Sequence, residues 1–298
     1  MKKYFNLYAV IAVTVFLFLA AGNAAAQTSP CGATDYDCKI KYNQNQIKTD
    51  PKNTEAYYNL GLAFQNKGEY AQSVAMFDLY ISIGVDNPEY MADGYYNRGF
   101  AQRSLGKNDL AIKDFTRAIE LVPTQALFYS DRGKAYNDLK NFVPAVADFN
   151  KAIGLKSDHS TSYFGRGFAY MEQKDYLKAA ADFTKVIALD PGNYEAYYNR
   201  GTTYYYLKRY TESITDLNKY IALNQADTRF MSDGYNSRGL SYLYSGSVVK
   251  AVDDFTRAIE LAPAAKSGYV NRALAYRKLN KIALAEADER KAATLKGK

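Results

Sequence analysis

Seven small residues, Gly61, Gly99, Gly133, Gly167, Gly201, Gly239 and Ala273, are separated by 38, 34, 34, 34, 38 and 34 residues. A period of this length dictates architecture before composition does, because each period must be one supersecondary unit. The unit is legible between Tyr163 and Pro191. Tyr163, Gly167 and Tyr170 share one helical face, and Ala179 and Phe183 share another. Gln173-Lys174-Asp175 between them is a polar turn short enough to force antiparallel neighbours, and Pro191 stops the second helix. A hairpin of about thirty residues cannot bury its apolar faces alone, so the units must stack on one another. The expectation is an all-α solenoid, which overrides the two globular domains that 298 residues would otherwise suggest.

Each unit carries a signature around its small residue. The leading aromatic is Tyr57, Tyr95, Tyr129, Tyr163, Tyr197, Tyr235 and Tyr269. The second is Phe77, Phe115, Phe149, Phe183 and Phe255, with Leu217 standing in once. This pattern resembles the tetratricopeptide repeat family, over nearly the whole chain after its first segment. The resemblance implies a right-handed superhelix with repeats over residues 54–298, preceded by a cap over residues 27–53. In that cap Asp35 to Lys48 reads as a half-repeat helix ended by Asp50-Pro51. The last helix, with Glu289 in place of the phenylalanine, is polar enough to close the other end.

Residues 1–26 combine Lys2 and Lys3 with an apolar run from Leu7 to Gly22 and Ala24-Ala25-Ala26, and read as a secretory signal peptide. The run is short of the roughly twenty residues a retained membrane anchor requires. The mature chain is therefore expected to be exported, periplasmic or extracellular. Formal charge is +7, and loss of Lys2 and Lys3 leaves +5, spread as interleaved acids and bases without the basic block that tracks nucleic acid. The two cysteines, Cys31 and Cys38, are a disulfide by default in an oxidising compartment, provided that the chain turns around Gly32. They lack the neighbours for a tetrahedral metal site and the C-x-x-C spacing of a redox pair.

Two further patterns lie inside the repeat. Arg98, Arg132, Arg166, Arg200, Arg238 and Arg272 precede the small residues, and sixteen positions later stand Asp114, Asp148, Asp182, Asp216, Asp254 and Asp288. The first repeat has Leu60 and Met76 there and lacks both charges together, which predicts ion pairs between the two helices of one hairpin. A longer period of 140 residues relates Tyr80 with Tyr90-Met91-Ala92-Asp93-Gly94 to Tyr220 with Phe230-Met231-Ser232-Asp233-Gly234, each followed by four extra residues. Four residues are about one helical turn, so a longer helix is expected, with Asn87-Pro88 opening the first one. The tyrosines are expected to hold the next hairpin away, with Met91 and Met231 packing beside them.

No stretch has the makings of an active site. There is no phosphate-binding Gly-rich loop, no His or Cys cluster, and the one histidine, His159, reads as an exposed turn residue. Neither enzymatic activity nor a cofactor or metal is expected. What remains is surface. The resemblance implies that first helices line a concave groove, carrying Tyr58, Tyr96, Phe100, Phe164, Phe168, Tyr198, Tyr205, Tyr206 and Tyr244. Interleaved are Asn59, Asn97, Asn199 and Asn271, with Asp131, Asp138, Glu172 and Glu195. Tyr58 and Leu62 stand where the family's best-known peptide clamp has Lys and Asn. The composition fits a protein-interaction scaffold that holds a peptide or a partner's helix; a carbohydrate- or cell-wall-binding module is the alternative.

Overall fold

The computed structural model describes residues 30–224 and 228–295. The expected leader, residues 1–26, lies outside the described residues. Fifteen helices occur in chain order among the described residues. They are α1 (Tyr36–Thr49), α2 (Thr54–Asn66), α3 (Tyr70–Ile83), α4 (Pro88–Ser104), α5 (Asn108–Leu121), α6 (Ala126–Asp138), α7 (Phe142–Leu155) and α8 (Ser160–Glu172). There follow α9 (Tyr176–Leu189), α10 (Tyr194–Tyr206), α11 (Tyr210–Leu223), α12 (Thr228–Tyr244), α13 (Val248–Leu261), α14 (Lys266–Lys278) and α15 (Ile282–Thr294). After α1 they pair as seven antiparallel hairpins, and each hairpin packs on the next.

Caps fix the starts. Asn53 and Asn193 accept the backbone N–H of Ala56 and Ala196 at 2.9 Å, and Asn87 accepts that of Tyr90 with Pro88 in the first turn. Each hairpin turn uses one left-handed residue seven positions after the small residue: Gly68, Gly106, Lys140, Lys174, Lys208, Gly246 and Asn280. In the fourth hairpin Asp175 N–H reaches back to Tyr170 O at 2.8 Å and Lys174 N–H to Met171 O at 3.0 Å, a Schellman closure.

The core is a row of identical joints. Phe77, Phe115, Phe149, Phe183 and Phe255 are fully buried, as is Leu217. Each ring slots under the small residue of its own hairpin, so that a Cβ on Gly133 would stand 2.9 Å from Phe149. The signature tyrosine fastens the link from the preceding hairpin: Tyr129 Oη donates to Pro123 O at 3.2 Å and Tyr269 Oη to Pro263 O at 3.3 Å.

The first helices of successive hairpins, α2, α4, α6, α8, α10, α12 and α14, touch one another in sequence, whereas no two second helices do among the described residues. The row therefore curves with its first helices on the inside.

At the cap, Cys31 and Cys38 are joined by a disulfide, with Cys38 in the first turn of α1 and Asp35 N–H bonded to Gly32 O at 3.1 Å. The half-repeat helix starts and ends within a residue of its expected bounds. No described helix is long and apolar enough to cross a membrane.

The two inserted turns are helical: α4 and α12 have 17 residues where the other first helices have 13. The expectation that Tyr80 and Tyr220 hold the next hairpin away needs correction. Both rings are buried, and glycines opposite, Gly94 and Gly234, make room for them. Their hydroxyls donate to the carbonyls of Tyr90 and Phe230, at 2.9 and 3.0 Å, and so tie down the added turn.

Candidate functional site

The arginine row is spent on structure. In each of the last six hairpins the Arg Nε and Nη2 grip both oxygens of the Asp sixteen residues on, at 2.7 to 2.8 Å. The six aspartates are nearly buried. Each guanidinium also lies against the signature tyrosine three residues earlier, from 5.1 Å over Tyr235 to 6.0 Å over Tyr269.

The sequence pattern did not disclose the third arm. Nη1 of Arg98, Arg132, Arg166, Arg200, Arg238 and Arg272 crosses to the preceding hairpin, onto Asp78, Thr116, Asn150, Thr184, Asn218 and Thr256. The available signal was a small acceptor two places after each aspartate position, in Asp-Phe-Thr, Asp-Phe-Asn and Asp-Leu-Asn. Burial raises the Asp114 and Asp254 pKa against the pull of their arginines, while Asp114 holds Arg98 more firmly protonated.

The expected groove residues divide in two. Tyr58 packs on Phe77 and Tyr80, with ring centroids at 5.7 and 5.3 Å, and its oxygen accepts from Asn97 at 3.2 Å. Asn97 is buried and also donates to Asp93 O. Tyr96 packs on Phe115 and Phe128 and donates to Asp131 at 2.6 Å. Phe164 meets Phe183, and Tyr198 meets Tyr220, at 5.6 and 4.9 Å. These rings knit neighbouring helices. Asn199 and Asn271 are engaged within the row, by Glu195 O and Asn236. Phe100 and Phe168 are half-buried, and Asn59 is exposed.

The carboxylates of the middle of the groove are balanced locally. Lys134 meets Asp131 at 2.7 Å and Arg103 meets Asp138 at 2.8 Å. Burial by itself would raise the Asp131 pKa, but Lys134, Tyr96 and Arg103 outweigh it and hold the carboxyl below its usual range. His159, expected in an exposed turn, instead sits half-buried at the start of α8 with Nδ1 2.7 Å from Ser162 Oγ. Burial, then Lys134, depresses its pKa. No cluster of metal-ligating side chains occurs among the described residues.

Towards the C-terminal half the inner face changes character. Tyr206 stacks on Tyr176 at 4.9 Å, Tyr205 abuts Tyr206 at 5.5 Å and Tyr244 at 5.8 Å, and Tyr210 stacks on Tyr244 at 6.3 Å. This cluster is not sealed: Tyr206 keeps 52% and Tyr244 45% of its surface. Beside it, between α10 and α12, is a hollow of about 180 Å³ lined by Tyr198, Thr202, Tyr205, Tyr206, Ser237 and Leu240.

Comparison with known proteins agrees with this geometry. Five family models described as tetratricopeptide repeat match residues 54–83, 92–125, 126–159, 160–193, 183–215 and 236–297. No curated protein matches the chain in sequence. Among solved structures, a tetratricopeptide repeat protein from Parabacteroides merdae is 21% identical with a TM-score of 0.62, over 81% of this chain and 93% of that one. A chain of the APC/C hetero-tetramer Cut9-Hcn1 is 16% identical with a TM-score of 0.64; 81% of this chain is covered but only 46% of that longer one. YrrB, described as a TPR protein with an unusual peptide-binding site, is 20% identical with a TM-score of 0.52, over 63% and 94% of the two chains. At these identities the structural likeness speaks for fold alone, and it converges with the repeat matches along the chain: the protein belongs to the tetratricopeptide repeat family.

Proposed function

We propose that the chain is an exported, non-catalytic scaffold that holds an extended segment of a partner protein along its inner face. The observation that carries this reading is the unequal use of aromatics there. Most of the inner rings are consumed by packing within and between hairpins, whereas the Tyr205, Tyr206 and Tyr244 cluster leaves large ring surface in solvent beside a hollow. Tyrosine supplies contact area at small entropic cost, which suits a recognition surface. The peptide-binding description of YrrB, on the same fold, is in keeping with it. Export rests on the signal-like first segment, and the Cys31–Cys38 disulfide suits an oxidising compartment.

The carbohydrate alternative is weaker, because the amides and carboxylates of the inner face that a sugar would need are largely engaged internally, Asn97 with Asp93 and Asp131 with Tyr96 and Lys134. Peptide and glycan arrays probed with the purified chain test the reading. Peptide capture, lost on changing Tyr206 and Tyr244 to Ser and kept on changing the exposed outer Val143 to Ser, is the expected result. Glycan capture without peptide capture would overturn it.

A further inference from the structure

The internal duplication supplies a control for the hollow between α10 and α12. Positions of the second block correspond to the first at an offset of 140. Thr202 stands where the first block has Leu62, Ser237 where it has Asn97, and Leu240 where it has Phe100. These three of the lining positions are smaller in the second block. Around them the change runs the other way: Tyr205, Tyr206 and Tyr244 replace Gln65, Asn66 and Ser104. The shared Tyr58 and Tyr198 keep the same partner position, Asn97 bonding Tyr58 Oη at 3.2 Å and Ser237 bonding Tyr198 Oη at 3.4 Å. The second block thus has smaller side chains at three lining positions, and phenols where its twin has Gln65, Asn66 and Ser104.

The lining narrows the chemistry. Tyr198, Thr202, Tyr205, Tyr206, Ser237 and Leu240 include no ionisable acid or base other than phenols, and no amide. Burial and then the neighbouring Tyr244 and Tyr210 push the Tyr205 pKa up to about 12. A site of ring faces and hydroxyl donors suits a ligand that offers apolar rings and bare carbonyls. Proline-rich chain in the polyproline II conformation is such a ligand, because it has no backbone N–H to satisfy and loses little entropy on docking. A sugar matches less well, since the lining offers its many hydroxyls only single protein hydroxyls and none of the carboxylates or amides that bond two of them at once.

We propose that this hollow and its tyrosine rim bind a proline-rich extended segment of the partner protein; this rests on the scaffold reading above and names the chemistry of its strongest subsite. The test is fluorescence anisotropy of fluorescein-labelled decaproline titrated with the purified full chain. A labelled decamer of alternating Gly and Ser serves as control, and chitohexaose as competitor. Two variants accompany it. Thr202→Leu, Ser237→Asn and Leu240→Phe together refill the hollow with side chains the first block already accommodates, and Tyr206→Asn removes the most exposed ring of the lining and puts back the first block's residue.

Decaproline binding in preference to the Gly-Ser decamer, weakened by roughly tenfold or more in both variants while helicity and melting temperature stay at the parent values, is the expected outcome. If the triple variant does not fold, Tyr206→Asn alone decides. Equal binding of the two peptides, indifference to the variants, or displacement by chitohexaose would overturn the proposal. Should decaproline fail while array peptides without proline still bind the inner face, this inference falls and the scaffold reading stands. Should no peptide bind at all, both fall.

Discussion

Gly234 faces the ring of Tyr220 so closely that a Cβ built on it would stand 2.7 Å from Cε1 and 3.0 Å from Cγ1 of Ile221. The same relationship joins Gly94 to Tyr80. At the joint that follows Tyr80's, bulk is distributed the other way, with Ala118 of α5 meeting Phe128 of α6. Large and small residues exchange sides of the hairpin interface, and the interface stays filled.

The sign of a glycine substitution follows. Ala is ordinarily better than Gly inside a helix by about 1 kcal/mol, and at Gly154, whose Cβ would meet nothing within 4 Å, Gly154→Ala should stabilise. At Gly234 the overpacking term, roughly 1–3 kcal/mol, wins, and Gly234→Ala should destabilise. Urea denaturation of the two variants checks the opposition, and adding Tyr220→Val to Gly234→Ala should restore part of the loss.

The ion-pair row predicts a strong asymmetry between single and paired changes. Asp182→Ala leaves Arg166 half-buried without its carboxylate and should cost about 3 kcal/mol. The exposed Asp253→Ala should cost little. Thr184→Val removes the acceptor of the Arg200 third arm, at 3.0 Å, together with the hydroxyl's own bond to Ala180 O, and should cost about 1 kcal/mol. Chemical denaturation of each, with an Arg166→Met/Asp182→Leu pair milder than Asp182→Ala alone, checks the assignment.

Lys140, Lys174 and Lys208 hold the left-handed turn position at φ 60, 64 and 59 that glycine occupies at Gly68, Gly106 and Gly246. A side chain there costs about 1 kcal/mol that glycine avoids. Lys174→Gly should raise the melting temperature, and Gly246→Lys should lower it.

His159 predicts a step in acid stability. Its folded pKa lies below the ordinary 6.5, so the unfolded chain binds the proton more readily. Stability from this group is present above about pH 6.5 and declines as pH falls through the interval down to its folded pKa. Asp131, also depressed, adds a second decline at lower pH, beginning near the ordinary carboxylate value of 3.8. His159→Gln should remove the first decline in a melting-temperature profile and leave the second.

Hairpins, turns, buried phenylalanines and the Arg–Asp register were legible in the sequence because each repeats a helical spacing many times. The third guanidinium arm was obscured because its acceptors vary in type, Asp78, Thr116 and Asn150 sharing only position. The fit of Tyr220 to Gly234 was missed because it depends on two helices meeting, and neither residue is odd by itself. His159 looked like a turn residue because its burial comes from neighbours that are distant in sequence. The division of inner-face tyrosines into packed and open sets likewise depends on what stands opposite each ring: Tyr58 has Phe77 and Tyr80, whereas Tyr206 has Tyr176 and the edge of Tyr205 and keeps half its surface exposed.

Because each interior hairpin contributes one arginine backwards and one small acceptor forwards, it is a tile whose two edges match each other. A copy of residues 160–193 inserted after residue 193 keeps its own Arg166–Asp182 pair, offers Thr184 to the next arginine and finds the Thr184 of the original behind it, so the array lengthens by one tile without a new kind of joint. The ends are different: Leu60 opens the array with nothing to give, and Arg290 stands where the last acceptor would be. A tile appended after the seventh hairpin would bring arginine against arginine. The interior of the array is therefore free to be copied, whereas an added tile meets no matching arm at Leu60 or Arg290.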